Sequence, residues 1–479
     1  MRTEQTYVQL DTRLSSAVEP TPVLDPQWIA FNDELAEQLQ IPSTQRDTSE
    51  GLLIYSGNTT PEWAQPHALA YAGHQFANYV PQLGDGRAVL LTEVVDKNGQ
   101  RYDIQLKGSG RTPYSRGGDG RSPLGPVLRE YLVSEAMHRL NVPTTRALAA
   151  VASGEMVKRE SIEPGAILTR VAKSHLRVGT AQYVLALQER KLSKAFADYV
   201  IQRHYPACAS AEQPYLALLT HVRDNQAKLI AQWMSLGFIH GVMNTDNMTL
   251  SGETIDYGPC AFIEAYDPQQ VFSSIDRRGR YMYQNQPPIG MWNIARFAET
   301  LLPLLELDEQ QAITQASEVV HGFEQVYQQQ YHARMSAKLG LAPEHPQAEQ
   351  LLEDYLQLMQ FHQVDFTLGF RYLCDEDDKR IGSLFQQSPT WQKWYQQWQD
   401  AHKDLNTAKQ KMAQVNPIYI PRNHLVQEVI TAAVKDGDLK PFNALHRVLK
   451  NPFKEHEEYA RYSQPAARNE QITRTFCGT

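Results

Sequence analysis

The spacing of apolar residues changes near residue 180, and this change constrains the fold more than any other feature of the chain. In residues 82–171 short apolar runs are separated by turn residues, and Arg101–Lys107 alternates apolar with polar side chains. That period of two is typical of a half-buried strand. Beyond residue 180 apolar residues recur at helical spacing, as in residues 213–236, a predicted helix that ends at Gly237. The sequence therefore predicts an α+β protein whose second half is mainly helical.

A single helix interrupts the strand-rich part of the chain. Apolar residues lie at helical spacing from Leu124 to Ala136, with Ser122 as the expected N-cap and Pro123 in the first turn. A turn is predicted at Ser153-Gly154. The predicted strands span residues 88–94, 101–107, 147–151, 155–159 and 166–171. This order of elements indicates a protein-kinase-like fold, in which a ligand binds in a cleft between two lobes.

Composition and periodicity divide the chain into four predicted parts. Residues 1–80 contain scattered prolines and are expected to wrap around the remainder. The other parts are a small nucleotide-binding lobe (81–180), a large and mainly helical catalytic lobe (181–380) and a helical C-terminal extension (381–479). Within the extension, tryptophans recur at helical spacing between Trp391 and Trp398. We predict that they pack in the core rather than bind a cofactor.

The composition is ordinary for a globular protein, with 42% hydrophobic and 21% charged residues. The net charge of −8 argues against a nucleic-acid partner, because no overall positive field would gather phosphates. The N-terminal residues are polar, and no apolar run reaches the ~18 residues that a membrane span needs. We therefore expect a cytoplasmic protein without a membrane partner. The four cysteines have neither the spacing of a zinc site nor that of a disulfide framework.

The strongest functional signal is the sequence HGVMNTDN at residues 240–247, followed by Asp-Tyr-Gly at residues 256–258. Protein kinases have H-x-D-x-x-x-x-N in the catalytic loop and a metal-binding D-x-G shortly after it. His240 and Asn247 have the separation of the first motif, and Asp256 begins the second. Amide and carboxylate oxygens are ligands that Mg²⁺ accepts, so Asn247 and Asp256 are the candidate metal ligands.

One position of the first motif departs from the kinase pattern. Val242 stands where kinases have the catalytic aspartate. A valine cannot accept a proton, and the departure argues against ordinary phosphoryl transfer to a hydroxyl. Asp246 is the nearest other carboxylate in the segment and is the candidate general base.

Several basic residues and glycines suggest contacts with phosphate. Lys107 ends a predicted strand and Glu130 lies in the following helix, the positions of the lysine–glutamate ion pair of kinases. Glycine-rich segments at 84–87 and 117–121 would let backbone N–H groups approach a phosphate closely, although plain turns are an equal alternative. Two arginines flank the predicted junction of the lobes and could hold phosphate there, Arg170 and Arg177.

Four long segments together resemble the SelO family of pseudokinase-like protein adenylyltransferases, which are called YdiU in bacteria. They are residues 71–88, 105–132, 167–180 and 240–262, and the resemblance covers nearly the whole chain. It implies a kinase-like fold that binds ATP in a flipped orientation and presents the α-phosphate to the acceptor. The implied reaction transfers AMP to Ser, Thr or Tyr hydroxyls of proteins, including the chain itself, and releases pyrophosphate. Some bacterial members imply a second reaction, UMP transfer from UTP to Tyr or His with Mn²⁺.

The resemblance also implies roles for individual residues. Asp246 would be the general base, Lys107 and Glu130 would form an ion pair, and Asn247 and Asp256 would bind Mg²⁺ or Mn²⁺. The residues implied to bind ATP are Gly84, Gly86, Arg87, Lys107, Asp119, Gly120, Arg170, Arg177 and Asp256.

The cysteines, the competing functions and the oligomeric state complete the predictions from the sequence. Many eukaryotic members of the family have selenocysteine near the C-terminus, where this chain has Cys477, and we hypothesise a regulatory disulfide between Cys260 and Cys477. A free tail thiol beside a buried Cys260 is an equal alternative. The competing functions are a small-molecule phosphotransferase of the aminoglycoside or choline kinase type and a non-catalytic nucleotide-binding scaffold. The default oligomeric state is a monomer.

Overall fold

The structure of the protein, a computed structural model, describes residues 1–476. The strands are β1 (Arg2–Glu4), β2 (Ser15–Ala17), β3 (Gln27–Phe31), β4 (His67–Leu69), β5 (Gly73–Gln75), β6 (Asn78–Val80), β7 (Ala88–Val95), β8 (Arg101–Lys107), β9 (Ser122–Pro123), β10 (Arg146–Lys158), β11 (Ile162–Ala172), β12 (Phe238–Ile239) and β13 (Ala261–Phe262). The helices are α1 (Asp33–Gln38), α2 (Ser49–Tyr55), α3 (Leu124–Arg139), α4 (Val178–Ala186), α5 (Arg190–His204), α6 (Pro214–Leu236), α7 (Gln286–Leu301), α8 (Glu309–Lys338), α9 (Ala348–Phe361), α10 (Phe366–Tyr372), α11 (Lys379–Leu384), α12 (Pro389–Asp400), α13 (Leu405–Val415), α14 (Asn423–Asp436), α15 (Lys440–Leu449) and α16 (Ala460–Ser463). The predicted α+β class is confirmed.

Nine strands form one antiparallel sheet in the order β2-β4-β7-β8-β11-β10-β3, with β1 paired to β7 and β9 paired to β11. Strand β8 has the bounds that the alternation of its residues predicts, and it lies between β7 and β11. Every residue of β7 is buried, so the middle of the sheet is covered on both faces. The first 80 residues contribute β1 to β4 to this sheet, and the boundaries of the four predicted parts stay predictions.

The two faces of the sheet bury different sets of residues. Ile104 and Leu106 of β8 pack in a cluster with apolar residues of α1 and α2. Because successive side chains of a strand point to opposite faces, Gln105 and Lys107 point to the other face, which α3 covers. The alternating side chains of β8 thus give the sheet one apolar face, with Ile104 and Leu106, and one face with polar groups, Gln105 and Lys107.

Two local predictions were wrong in the strand-rich part. Helix α3 begins at Leu124, and Ser122 does not cap it but pairs with Ala166 in the short β9–β11 ladder. No turn interrupts β10 at Ser153-Gly154, because the strand continues through these residues with a shift of register against β11. In both places pairing with β11 overrides the local signal, and in β10 a bulge absorbs the extra residues.

The helical second half agrees with the predicted spacing. Gly237 adopts a left-handed conformation with φ of 70° and ends α6, as expected. The tryptophans of α12 are buried, with exposed fractions of 2% or less for Trp391, Trp394 and Trp398, so the predicted core role is confirmed. None of the helices between residues 1 and 476 combines the length and the apolar character that crossing a lipid bilayer requires.

Lys338, the last residue of α8, is buried with an unusual environment for a cation. Its Nζ lies 4.5 Å from the centre of the Phe370 ring, and within the described chain no acceptor hydrogen-bonds to it. Burial lowers the pKa of Lys338 from 10.5 to about 7. Unfolding therefore takes up a proton between pH 7 and 10.5, and the free energy of unfolding should rise with pH in that window.

We expect Lys338→Met to increase the free energy of unfolding at pH 7 by on the order of 2–4 kcal/mol, because the methionine needs no charge in the core. The variant should also lose the increase of stability above pH 7. Chemical denaturation at several pH values measures both effects. Lys409→Met is the matched control, because the buried Lys409 donates to the carbonyl oxygens of Asp375 and Glu376 and its loss should destabilise the protein. Equal destabilisation by both variants would contradict the prediction.

Candidate active site

A cavity of about 680 Å³ lies between one end of the sheet and the loops that follow β12. Its wall combines the ends of β7, β8 and β11 with the glycine-rich loop after β8 and the segment around Asn247. Glu130 does not line the cavity and contacts it through Lys107. All the other candidate catalytic, metal-binding and ATP-binding residues of the sequence analysis line it: Gly84, Gly86, Arg87, Lys107, Asp119, Gly120, Arg170, Arg177, Asp246, Asn247 and Asp256.

The register of the sheet brings the basic residues of the cavity together. Gln105 of β8 is paired with Arg170 of β11, and the Arg170 guanidinium donates to Gln105 Oε1 at 2.7 Å. Lys107 lies two residues further along β8 and therefore on the same face as Gln105. Its Nζ is 2.6 Å from Glu130 Oε2, a residue of α3. Arg170 also contacts Glu130, at 3.2 Å, so one glutamate holds both cations in place.

Three cationic side chains contact the carboxylate of Asp256. Lys107 Nζ lies 2.7 Å and Arg170 Nη1 2.6 Å from its Oδ1, and Arg177 Nη2 lies 3.5 Å from its Oδ2. Burial alone would raise the pKa of Asp256, but the charges of Lys107, Arg170 and Arg177 hold it well below its usual value. The residue also has a left-handed backbone with φ of 60°, which is uncommon outside glycine. Asp256 is therefore ionised and tightly positioned.

Arg177 is buried to an extent that is rare for an arginine. Its side chain is 2% exposed, and the guanidinium lies 4.4 Å from the centre of the Tyr71 ring. Asp85 is 3.6 Å away, and burial raises the pKa of that carboxyl group. In the described chain, Arg177 Nε has no hydrogen-bond partner. The guanidinium thus keeps donor capacity for a ligand with oxygen atoms.

Asp246 provides a second carboxylate with a different environment. It lies in the short 3₁₀ segment Thr245–Asn247, and Gln75 Nε2 donates to its Oδ2 at 3.4 Å. Nothing in residues 1–476 donates to its Oδ1. Burial raises the pKa of Asp246 to about 6, which is favourable for a group that accepts a proton near neutral pH. Gly73 leaves room for this carboxylate, because a Cβ atom there would lie 2.5 Å from Asp246 Oδ1.

Asn247 and Val242 share one hydrogen bond in the catalytic loop. Asn247 Nδ2 donates to the Val242 carbonyl at 3.0 Å, and within the described chain nothing donates to Asn247 Oδ1. Val242 lines the cavity with an apolar side chain. His240 is buried and its ring hydrogen-bonds to the Ile255 carbonyl, so it links the loop to the segment before Asp256. Val242, at the position where kinases have the catalytic aspartate, cannot act as a base.

The glycine-rich loop after β8 forms the outer wall of the cavity. Gly120 has φ of 70°, and a Cβ atom there would lie 2.0 Å from the Gly110 carbonyl oxygen, so a larger residue would displace the loop. Asp119 is exposed and forms a two-fold hydrogen-bonded ion pair with Arg159, with both distances 2.9 Å. Its negative charge is thus balanced before any ligand binds.

Sequence reasoning missed several residues of this cavity. Arg116 adds positive charge to the outer wall, where Arg121 and Arg159 are paired with Glu155 and Asp119, and Tyr71 supports Arg177. Arg159 lies in the turn between β10 and β11, about 40 positions from Asp119, and no local pattern indicates that the two meet. Arg121, in contrast, ends the glycine-rich segment 117–121 that the sequence analysis proposed for phosphate contacts, and it lines the cavity.

The predicted disulfide cannot be placed. Cys260 is buried and belongs to no disulfide within residues 1–476, and Thr475 donates to the carbonyl of the preceding residue, Pro259. Cys477 lies outside the described residues. The pairing of Cys260 with Cys477 stays a hypothesis.

Comparisons with known proteins all point to one family of nucleotidyltransferases. The model of a family described as "Protein adenylyltransferase SelO" matches residues 1–450. "Protein nucleotidyltransferase YdiU" of Rhodopseudomonas palustris (strain HaA2) is 51% identical over 485 residues, which cover 99% of each chain. The proteins of the same name from Bradyrhizobium sp. (strain ORS 278) and Maridesulfovibrio salexigens are 51% and 50% identical, and the matches cover 99% of this chain and 99% and 98% of theirs.

Proposed function

Because the chain belongs to the SelO family of protein nucleotidyltransferases, we propose that it transfers AMP from ATP to a hydroxyl group of a protein and releases pyrophosphate. One observation carries this proposal. Three cations converge on Asp256 in a cavity that also contains a second carboxylate, Asp246, with an unpartnered oxygen. Such a site can hold a polyphosphate at one end and accept a proton at the other.

The cations of the cavity support the proposed orientation of ATP. Lys107, Arg170 and Arg177 lie at its buried end, where they would hold the terminal phosphates through charge-assisted hydrogen bonds. We propose that the α-phosphate then lies beside Asp246, which is the flipped orientation. We also propose that the sheet and the helices after it correspond to the two lobes of a protein kinase, with the glycines at 84–87 and 117–121 contributing to the nucleotide site.

The residues present fit a divalent metal ion. Asn247 donates through its amide nitrogen to Val242 and so leaves an oxygen available, and Asp256 is an ionised carboxylate. Two oxygen donors are what Mg²⁺ commonly takes from a protein that also binds phosphates. Mg²⁺ or Mn²⁺ bound there supplies positive charge that stabilises the reacting phosphate and the departing pyrophosphate.

Asp246 is the proposed general base. Its free Oδ1 would accept the proton of the acceptor hydroxyl while the hydroxyl oxygen bonds to the α-phosphorus. The bond between the α-phosphorus and the bridging oxygen breaks, and pyrophosphate leaves with the electron pair. Asp246 takes the role that Val242 cannot fill, which argues against the small-molecule phosphotransferases that need an aspartate at that position. A scaffold without activity would need neither carboxylate.

A second candidate reaction differs in the nucleotide that is transferred. The relatives are named nucleotidyltransferases, a name that covers AMP and UMP transfer alike. UMP transfer from UTP to Tyr or His with Mn²⁺ is therefore the second candidate. We further propose that the protein acts in the cytoplasm, as a monomer, on protein acceptors that include its own chain.

The experiment uses ATP labelled at the α- or the γ-phosphate, with Mg²⁺ or Mn²⁺ and a mixture of acceptor proteins. We expect label from the α position in protein and label from the γ position in pyrophosphate only. Parallel reactions with α-labelled UTP compare UMP transfer with AMP transfer. Transfer of the γ-label to a protein or to a small-molecule acceptor would contradict nucleotidyl transfer by this site.

A further inference from the structure

A second groove of about 720 Å³ opens beside the catalytic cavity. Phe76 and Ile275 line both, so the two are continuous. We call it the arginine groove and define it by Phe76, Ile275, Arg277, Arg278 and Arg280. Phe76 lies at the tip of the β5–β6 hairpin, and the other four residues belong to the loop before α7.

The groove carries positive charge that the protein itself does not neutralise. Arg277 and Arg278 are exposed and Arg280 is half-buried. Within the described chain none of the three lies within 4.0 Å of a carboxylate. Asp276 is the acidic residue next to these arginines in the sequence, but it is 5% exposed and accepts hydrogen bonds from the backbone N–H groups of Arg280 and Tyr281. A chain with a net charge of −8 thus concentrates three unpaired cations beside its catalytic cavity.

Aromatic rings hold one of these cations without neutralising it. The Arg280 guanidinium lies 5.0 Å from the ring centre of Trp292 and 5.7 Å from that of Tyr281. Its Nε is buried and has no hydrogen-bond partner in residues 1–476. Contacts with rings restrict the side chain without adding a negative charge, so the cation can still pair with an incoming anion.

The groove is coupled to the catalytic loop through Asn244. The Tyr281 hydroxyl donates to Asn244 Oδ1 at 2.6 Å, and the Phe76 backbone N–H donates to the same oxygen at 3.0 Å. Asn244 precedes Asp246 by two residues. The groove therefore has a fixed position relative to the proposed base. Ile275, which is 52% exposed, provides an apolar surface between the two sites.

We propose that the arginine groove binds an acidic segment of the acceptor protein, next to the hydroxyl group that is modified. This inference rests on the proposed function, because an acceptor hydroxyl must reach Asp246 from outside the nucleotide site. Carboxylates would pair with Arg277, Arg278 and Arg280, and an apolar side chain would contact Ile275. The net charge of the chain and the apolar surface favour a peptide over a nucleic acid.

Binding is tested separately from catalysis with two fluorescent peptides. Both contain Ser-Thr-Tyr, and four glutamates follow it in one peptide and four glutamines in the other. Fluorescence anisotropy should show at least tenfold tighter binding of the glutamate peptide to the wild-type protein. The double variant Arg277→Glu/Arg278→Glu should lose this preference. Lys393→Glu/Lys411→Glu reverses the same number of exposed charges on α12 and α13 and should keep it.

Transfer kinetics then connect the groove to the reaction. With α-labelled ATP, the double arginine variant should raise KM for the glutamate peptide at least tenfold while kcat and the reaction with the glutamine peptide change little. Equal binding of both peptides by the wild type, or an unchanged preference in the arginine variant, would overturn the inference. Tighter binding of a single-stranded oligonucleotide that Arg277→Glu/Arg278→Glu abolishes would overturn it in favour of a nucleic acid. Peptide preference without any transfer of α-label would contradict the proposed function but not the groove.

Discussion

Asp256→Ala should reduce nucleotide transfer by about 10³-fold or more, the upper range for removing one group that stabilises charge in a transition state. The proposed metal site would lose its charged ligand, and Asn247 alone provides only a neutral oxygen. The rate of α-label incorporation into protein at saturating ATP measures this loss. Near-normal transfer by Asp256→Ala would contradict the metal assignment.

The same substitution should change stability in a way that depends on the ligand. Arg170 and Arg177, each 2% exposed, would lose their shared carboxylate, and breaking a buried ion pair typically costs about 3–5 kcal/mol. A bound triphosphate would restore negative charge beside the same arginines. We therefore expect ATP without divalent metal to raise the Tm of Asp256→Ala more than that of the wild type.

Asp256→Asn is the matched control for both effects. The amide keeps the size of the side chain and an oxygen acceptor for Lys107 and Arg170, but it removes the charge. It should lose transfer nearly as completely as the alanine variant and be destabilised less. An equal response of the Tm to ATP in the wild type and the two variants would show that the triphosphate does not lie beside these arginines.

The parts of the site that the sequence predicted are those that local spacing determines. The separation of His240 and Asn247 identified the catalytic loop. The period of two in Arg101–Lys107 predicted a strand, and the structure has a strand with the same bounds. The strand also fixes the face on which Lys107 lies, because side chains alternate. The partner of Lys107 on that face, Glu130 of α3, needed the analogy with kinases, since no spacing within β8 specifies it.

The parts that were missed depend on pairing between distant segments. Arg159, in the turn between β10 and β11, contacts Asp119 of the segment before β9, and the β10–β11 ladder continues through the turn predicted at Ser153-Gly154. The arginine groove joins Phe76 to a loop about 200 residues later. Local propensity and hydrophobic period contain no information about such contacts, because they arise only when the whole sheet and the helices have packed.

Asp246→Asn separates the proposed base from the proposed metal ligand. Transfer should fall by about 10²–10⁴-fold, the range for removing a general base, because an amide cannot accept the proton of the acceptor hydroxyl. Binding of ATP should change little, since none of the phosphate-binding cations forms an ion pair with Asp246 in the described chain. Single-turnover transfer of α-label and calorimetric titration with ATP measure the two quantities.

The stability of Asp246→Asn distinguishes a base from a structural residue. Burial disfavours the charged carboxylate, whose Oδ1 has no donor, and an isosteric amide avoids the charge. We therefore expect the Tm without nucleotide to stay the same or to rise, whereas the Asp256 variants should lose stability. A loss of several degrees in Asp246→Asn would mean that Asp246 holds the catalytic loop in place. No other carboxylate in the described cavity combines burial with an oxygen that lacks a hydrogen-bond partner, so none is expected to replace Asp246 as the base. Transfer within tenfold of wild type would therefore remove Asp246 from the proposed chemistry.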